Sequence, residues 1–195
     1  FDYSGHGESD RRFEEGTIGL WSRDALAAID ALAAGERLLL VGSSMGGWIA
    51  LLVARALAAR GEAGRLAGMV LIAPAVDFTE ELLWASLPGP IRAEIMEKGV
   101  WRQPSAYSDE PTPFTRALIE DGREHLLFSA PLRAHCPVHI LQGMQDPDVP
   151  WRHAQKLFER LPADPAVISL IRDGDHRLSR EEDLRLLIGA VEAVE

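Results

Sequence analysis

Four short, mainly apolar runs, two of them unbroken and two interrupted by a single polar residue (His139 and Ser169), are separated by segments of helical pattern and set the tightest limit on how this chain can fold. Leu38-Leu39-Leu40-Val41 is the first, and Met69 to Ala73, Val138 to Leu141 and Val167 to Ile171 follow. A strand that is apolar at every position, not at alternate ones, is a strand covered on both faces. Helical patterns occupy about 20–34, 46–60, 151–161 and 181–194. Strands alternating with helices in this way predict an α/β domain with a mostly parallel sheet, flanked by helices and joined by right-handed crossovers. The length of 195 residues suits a single domain over 1–195, since domains run to about 100–200 residues.

One stretch interrupts the alternation. Residues 77–131 carry Pro88, Pro90, Pro104, Pro111, Pro113 and Pro131, with only short helical pieces at Ile91 to Lys98 and Phe114 to Asp121. A long irregular insertion between two core strands is expected to be a lid or binding element. Leu83, Trp84 and Trp101 within it are candidates for an apolar wall against a substrate, or equally for side chains that bury the insertion itself.

The chemistry concentrates at Gly42-Ser43-Ser44-Met45-Gly46, which ends the first apolar run and opens the helical pattern from 46. Gly-x-Ser-x-Gly between a strand and a helix describes a nucleophile elbow, a turn so tight that its neighbours must be small. Gly42 and Gly46 supply small neighbours, and Gly47 lets the helix approach the sheet. Ser44 then sits at a helix N-terminus, where backbone N–H groups stabilise a developing oxyanion; the Met45 N–H is the expected first donor. A serine hydroxyl needs a base, and the base needs a carboxylate to orient it. His176 follows the fourth apolar run and Asp146 the third, so that both are expected at the strand ends that converge on one edge of a parallel sheet. Asp146 is the first choice of acid, with Asp148 and Asp77 as alternatives. A metal site from Asp146, Asp148 and His176 lacks the helical ligand spacing that would support it. His125, His135, His139 and His153 read as surface or structural residues.

Composition excludes several classes. A formal charge of -10 argues against nucleic acid and anionic membranes as partners. Cys136 is the only cysteine, which rules out an intrachain disulfide and a thiolate zinc site and reads as an inert buried thiol. No apolar run approaches the ~20 residues that span a bilayer. No organic cofactor or metal is expected, and the partner implied is an ester or thioester substrate.

Phe1-Asp2-Tyr3-Ser4-Gly5-His6-Gly7-Glu8-Ser9 resembles the loop that follows the fourth strand of α/β-hydrolases. Together with the elbow, Gly143-Met144-Gln145-Asp146, Val149-Pro150-Trp151 and Asp175-His176-Arg177, the chain resembles the acyl-protein (palmitoyl) thioesterase branch, also known for acyl-glucuronide esterase activity. Glu97-Lys98-Gly99-Val100-Trp101 and Pro104-Ser105-x-Tyr107-Ser108 are similar to that branch's lid. The resemblance implies an α/β-hydrolase fold, with Ser44, Asp146 and His176 as the triad and acyl thioesters or esters, acylated proteins among them, as substrates. A general carboxylesterase or lipase, and a catalytically silent binding protein, are the alternatives. It also implies three strands and a His-Gly oxyanion loop ahead of Phe1, so residues 1–195 alone are expected to be weakly active or inactive. A cytoplasmic location is expected for a bacterial source, and a mitochondrial one is what the branch implies.

Overall fold

The computed structural model describes residues 1–104 and 111–195. Six helices and six strands are numbered in chain order. They are α1 (Ile18–Leu32), β1 (Leu38–Ser43), α2 (Met45–Ala59), β2 (Leu66–Ile72), α3 (Gly89–Lys98), β3 (Val100–Gln103), β4 (Thr112–Thr115), α4 (Arg116–Arg123), β5 (Val138–Gly143), α5 (Trp151–Glu159), β6 (Ala166–Ile171) and α6 (Glu181–Val194). These segments form two compact units, one made of Phe1–Ala28 with Asp77–Leu126, the other of Ile29–Val76 with Leu127–Glu195. None of the described helices is long and apolar enough to cross a membrane.

The second unit holds the expected parallel sheet, in the order β1-β2-β5-β6. Register decides which residues face which layer, because successive side chains alternate between the two faces. Val70, Ile72 and Leu141 turn towards α6, where Ala190 and Val194 meet them together with Leu178 from the loop before it, and Leu39 and Ile171 extend the contact. Met69 and Leu71 therefore turn the other way, to the face on which α2 lies against β1 and β2. Met69, Val70 and Leu71 are all fully buried, and each such side chain contributes roughly 1.5–3 kcal/mol. That is why the central strands show no polar alternation. The two edge strands depart from the expected cover on both faces: Val41 of β1 stays 52% exposed, and in β6 Val167 and Leu170 stay 53% and 41% exposed, because an edge strand has a neighbour on one side only.

The first unit contains two strands that the sequence reading left out. Val100–Gln103 and Thr112–Thr115 pair antiparallel as β3 and β4, with Trp101 opposite Phe114. Phe114, expected to begin a helix, instead lies in β4, and the helix starts at Arg116 with the Thr115 hydroxyl accepting the Leu118 N–H. Pro113 cannot donate to a ladder. A two-stranded ribbon leaves one side of β4 without a partner strand, so the missing N–H is tolerated. Pro104-Ser105-x-Tyr107-Ser108, part of the lid resemblance, extends into 105–110, which lie outside the described residues.

The junction of β1 and α2 is set by contact distances. A Cβ at position 42 would stand 2.3 Å from the carbonyl oxygen of Gly46, so only glycine lets α2 start this close to its strand. At position 47 a Cβ would meet the Pro74 ring carbon at 2.8 Å. Gly46 differs from expectation: a Cβ there meets nothing within 4 Å among the described residues, so tightness does not require glycine at that point. Gly42→Ala should therefore cost about 1–3 kcal/mol and lower Tm by several degrees. Gly46→Ala should leave Tm unchanged or raise it slightly, since alanine is the better helix former. Thermal melts of the two variants test the contrast, and equal effects would contradict it.

Candidate active site

Ser44 stands between β1 and α2 with φ 52° and ψ −119°, a left-handed backbone that residues with a side chain rarely adopt. Strain of this kind costs of order 1–3 kcal/mol and persists only where neighbours hold it. Here the Ser44 N–H donates to the Ile72 carbonyl at 2.8 Å, and the Ser44 carbonyl accepts from Gly47 and Ala75 N–H groups, both at 3.0 Å. These bonds tie the turn to the end of β2. Met45 opens α2, so its N–H belongs to the first helical turn, whose donors have no acceptor within the helix.

Asp146 and His176 arrive from the loops after β5 and β6. His176 Nδ1 lies 2.8 Å from Asp146 Oδ2, and His176 Nε2 lies 3.1 Å from Ser44 Oγ. An ionised carboxylate only accepts, so Nδ1 carries the hydrogen and Nε2 is left to accept from the serine hydroxyl. Asp148 and Asp77 do not take this place. Asp148 instead gives its backbone N–H to Asp146 Oδ1 at 2.8 Å, as does Val149 at 2.8 Å.

The Asp146 side chain has 0% exposure. Burial pushes its carboxyl up, but the hydrogen bonds from His176, Val149 and Asp148 outweigh that and hold it below its usual range. The His176 imidazole is raised above 6.5, first by its bond to Asp146, against the opposing effect of burial, with the charges of Asp146, Asp148 and Asp175 adding to the rise. Stability linked to Asp146 is therefore present above the ordinary carboxyl range and lost as pH falls through its native value. Stability linked to His176 is present below 6.5 and lost as pH rises through its native value.

Two further residues support this arrangement, and the sequence reading passed over both. Gln142, with 0% exposure in β5, donates from its amide nitrogen to Asp146 Oδ2 at 3.1 Å and to the carbonyls of Gly143 and Val149, both at 3.0 Å. Its one sequence signal was a polar residue closing an apolar run. Arg180 brackets the His176 loop. Its guanidinium bonds Asp183 through Nε at 2.8 Å and Nη2 at 2.9 Å, and Asp173 through Nη1 at 2.7 Å. Inside that bracket, Asp175 Oδ1 accepts the Arg177 and Leu178 N–H groups at 3.1 and 3.0 Å. The loop runs so near β5 that a Cβ on Gly143 would lie 2.4 Å from the Gly174 and Asp175 carbonyl oxygens.

Ligand atoms of Asp146, Asp148 and His176 come within 4.8 Å of one another. A metal there would have to displace the donors that already occupy both Asp146 oxygens and the hydrogen on His176 Nδ1, so the donor set does not suit one. Leu83, Trp84 and Trp101 gather in the first unit, packed with Leu87, Ile95 and Ile119. Arg92 and Arg123 stack over the Trp84 ring at 5.4 and 4.9 Å. Cys136 is buried and its thiol is pushed up to about 11 by that burial, with Asp164 adding to the rise. His153 is buried with Nε2 2.7 Å from the Val76 carbonyl, and His139 Nε2 lies 2.9 Å from Ser169 Oγ, both structural placements.

An NMR titration of the imidazole tests the electrostatics directly. The His176 midpoint should lie above 6.5, and Asp146→Asn should bring it down, because burial then acts against a weaker partner. A midpoint unaffected by Asp146→Asn would contradict the assignment.

Residues 1–187 match the Alpha/beta hydrolase family. The chain is 36% identical over 193 residues to the human protein named palmitoyl-protein thioesterase ABHD10, mitochondrial, covering 98% of this chain and 61% of that protein. The bovine protein of the same name is 37% identical over the same shares. The chain thus spans about three fifths of the length of the curated relatives it matches. Among solved structures, a putative hydrolase from Agrobacterium vitis superposes with a TM-score of 0.95 at 52% identity, over 100% of this chain and 75% of that one. Mouse alpha/beta hydrolase domain-containing protein 10 superposes with a TM-score of 0.84 at 34% identity, over 98% and 74%.

Proposed function

Because this chain belongs to the alpha/beta hydrolase family, we propose that it is a serine hydrolase in which Ser44 attacks an acyl carbon, with His176 as base and Asp146 as the carboxylate that orients it. The observation that carries this reading is the unbroken sequence of contacts from Asp146 Oδ2 through the imidazole to Ser44 Oγ, at 2.8 and 3.1 Å. A serine held in a strained turn only as a fold element would not need a base aligned on its hydroxyl. His176 Nε2 takes the Oγ proton as the Oγ–C bond forms, and the carboxylate stabilises the resulting imidazolium without taking its proton. The Met45 N–H, at the start of α2, donates to the oxyanion. When the intermediate collapses, His176 delivers the proton to the leaving sulfur or oxygen. Water then repeats the cycle on the acyl-enzyme, with His176 again as base.

For the substrate we propose acyl thioesters, with long-chain acylated proteins as the class. Its support is the name of the human and bovine relatives, palmitoyl-protein thioesterase. The same names support a mitochondrial location where the source is animal.

In the whole protein, labelling with a fluorophosphonate should place the probe on Ser44, and Ser44→Ala should abolish it while lowering turnover at least about a thousandfold. Because neutral His176 is the base and its pKa is raised, the labelling rate should climb with pH through a midpoint above 6.5. Label found elsewhere, or a rate flat in pH, would overturn the mechanism. A palmitoyl thioester should be turned over faster than a palmitoyl oxygen ester of matched chain. The reverse order would move the chain to the general carboxylesterases.

A further inference from the structure

We infer that Gln142 is a positioning residue for the Asp146–His176 pair, its buried amide donating to the carboxylate oxygen that also receives the imidazole hydrogen. The inference rests on the proposed hydrolase reading and adds to it a residue that reading does not contain. Gln142 lies in β5 between Leu141 and Gly143, fully buried. Its amide nitrogen stands 3.0–3.1 Å from three acceptors, the carbonyls of Gly143 and Val149 and Oδ2 of Asp146. Its own oxygen is buried with no hydrogen-bond partner among the described residues.

That imbalance fixes the side chain's orientation and suggests its purpose. Turning the amide over would aim its oxygen at three other oxygens, so the nitrogen must point towards Asp146. An apolar side chain of equal volume would remove the orphaned oxygen, but it would also take the donor from Asp146 Oδ2 and from the Gly143 and Val149 carbonyls. What glutamine supplies, and no apolar residue can, is a pair of N–H groups aimed at the loop after β5. One end of that loop is the Val149 carbonyl, and the Asp146 carboxylate is its working end. Gln142 thereby joins the backbone of the turn to the oxygen that orients His176, from a strand position opposite Leu170 of β6.

A donor on Oδ2 also shares that oxygen's charge. Removing it leaves more negative charge for the imidazolium, so the His176 midpoint should move up while the loosened carboxylate orients the ring less well. Gln142→Met keeps the volume and discards the N–H groups. Per labelled active site, its acylation rate by a fluorophosphonate should fall about tenfold or more, with the pH midpoint displaced upwards, whatever the change in Tm. A purely structural glutamine would lower Tm and the active fraction but move neither the midpoint nor the rate per site. An unchanged rate and midpoint in a variant that labels would overturn the inference alone. If Gln142→Met does not fold, the wild-type protein still decides. The Gln142 side-chain amide resonances should shift with the His176 midpoint, and resonances flat through that midpoint would overturn the coupling. If Ser44 of the whole wild-type protein does not label at all, the hydrolase reading fails, while the amide titration still reports on Gln142 and Asp146.

Discussion

The carbonyl oxygen of Gly46 occupies the space that any side chain at position 42 would need, and the candidate site depends on that exclusion. Without it α2 could not begin directly on the end of β1. Ser44 would lose its strained backbone, and Met45 would no longer open α2 directly after it. The bond from Ser44 N–H to the Ile72 carbonyl shows how the strain is held, by the neighbouring parallel strand and not by the turn alone. Sheet, turn and helix dipole are thus one mechanical unit, with Ser44 at its tightest point.

Around that point the second organising group is a carboxylate with no access to water. Both Asp146 oxygens are saturated, one by two backbone N–H groups and the other by His176 and Gln142. A buried anion survives only when its lone pairs are filled, and here each donor also has a geometric task. The backbone pair closes the turn after β5, the imidazole faces Ser44, and the glutamine secures both. Electrostatics and positioning are supplied by the same four bonds.

Much of this was legible in the sequence because it follows from local pattern. Short, mainly apolar runs marked β1, β2, β5 and β6, and Gly42-x-Ser44-x-Gly46 between strand and helix marked the turn. Asp146 and His176 were legible because loops following parallel strands end on one edge of the sheet. What escaped notice depends on partners distant in sequence. Gln142 reads as one polar residue closing a strand until its amide is seen against Asp146. Arg180 reads as an ordinary charged residue before a helix. The β3–β4 ribbon is too short to show a periodic pattern, and it pairs Trp101 with Phe114 across thirteen residues. Gly46 was over-read, since its place in a motif says nothing about the room around it.

Arg180 gives the His176 loop two unlike attachments. Its Asp183 partner is 1% exposed, whereas the Asp173 partner is 71% exposed. Dissolved ions screen an exposed pair far more than a sheltered one. Rising ionic strength therefore loosens the Asp173 end of the loop while the Asp183 end, at the head of α6, holds. The ring of His176 is carried on a segment hinged at one side and latched at the other, and the latch is the part that the surrounding electrolyte can reach.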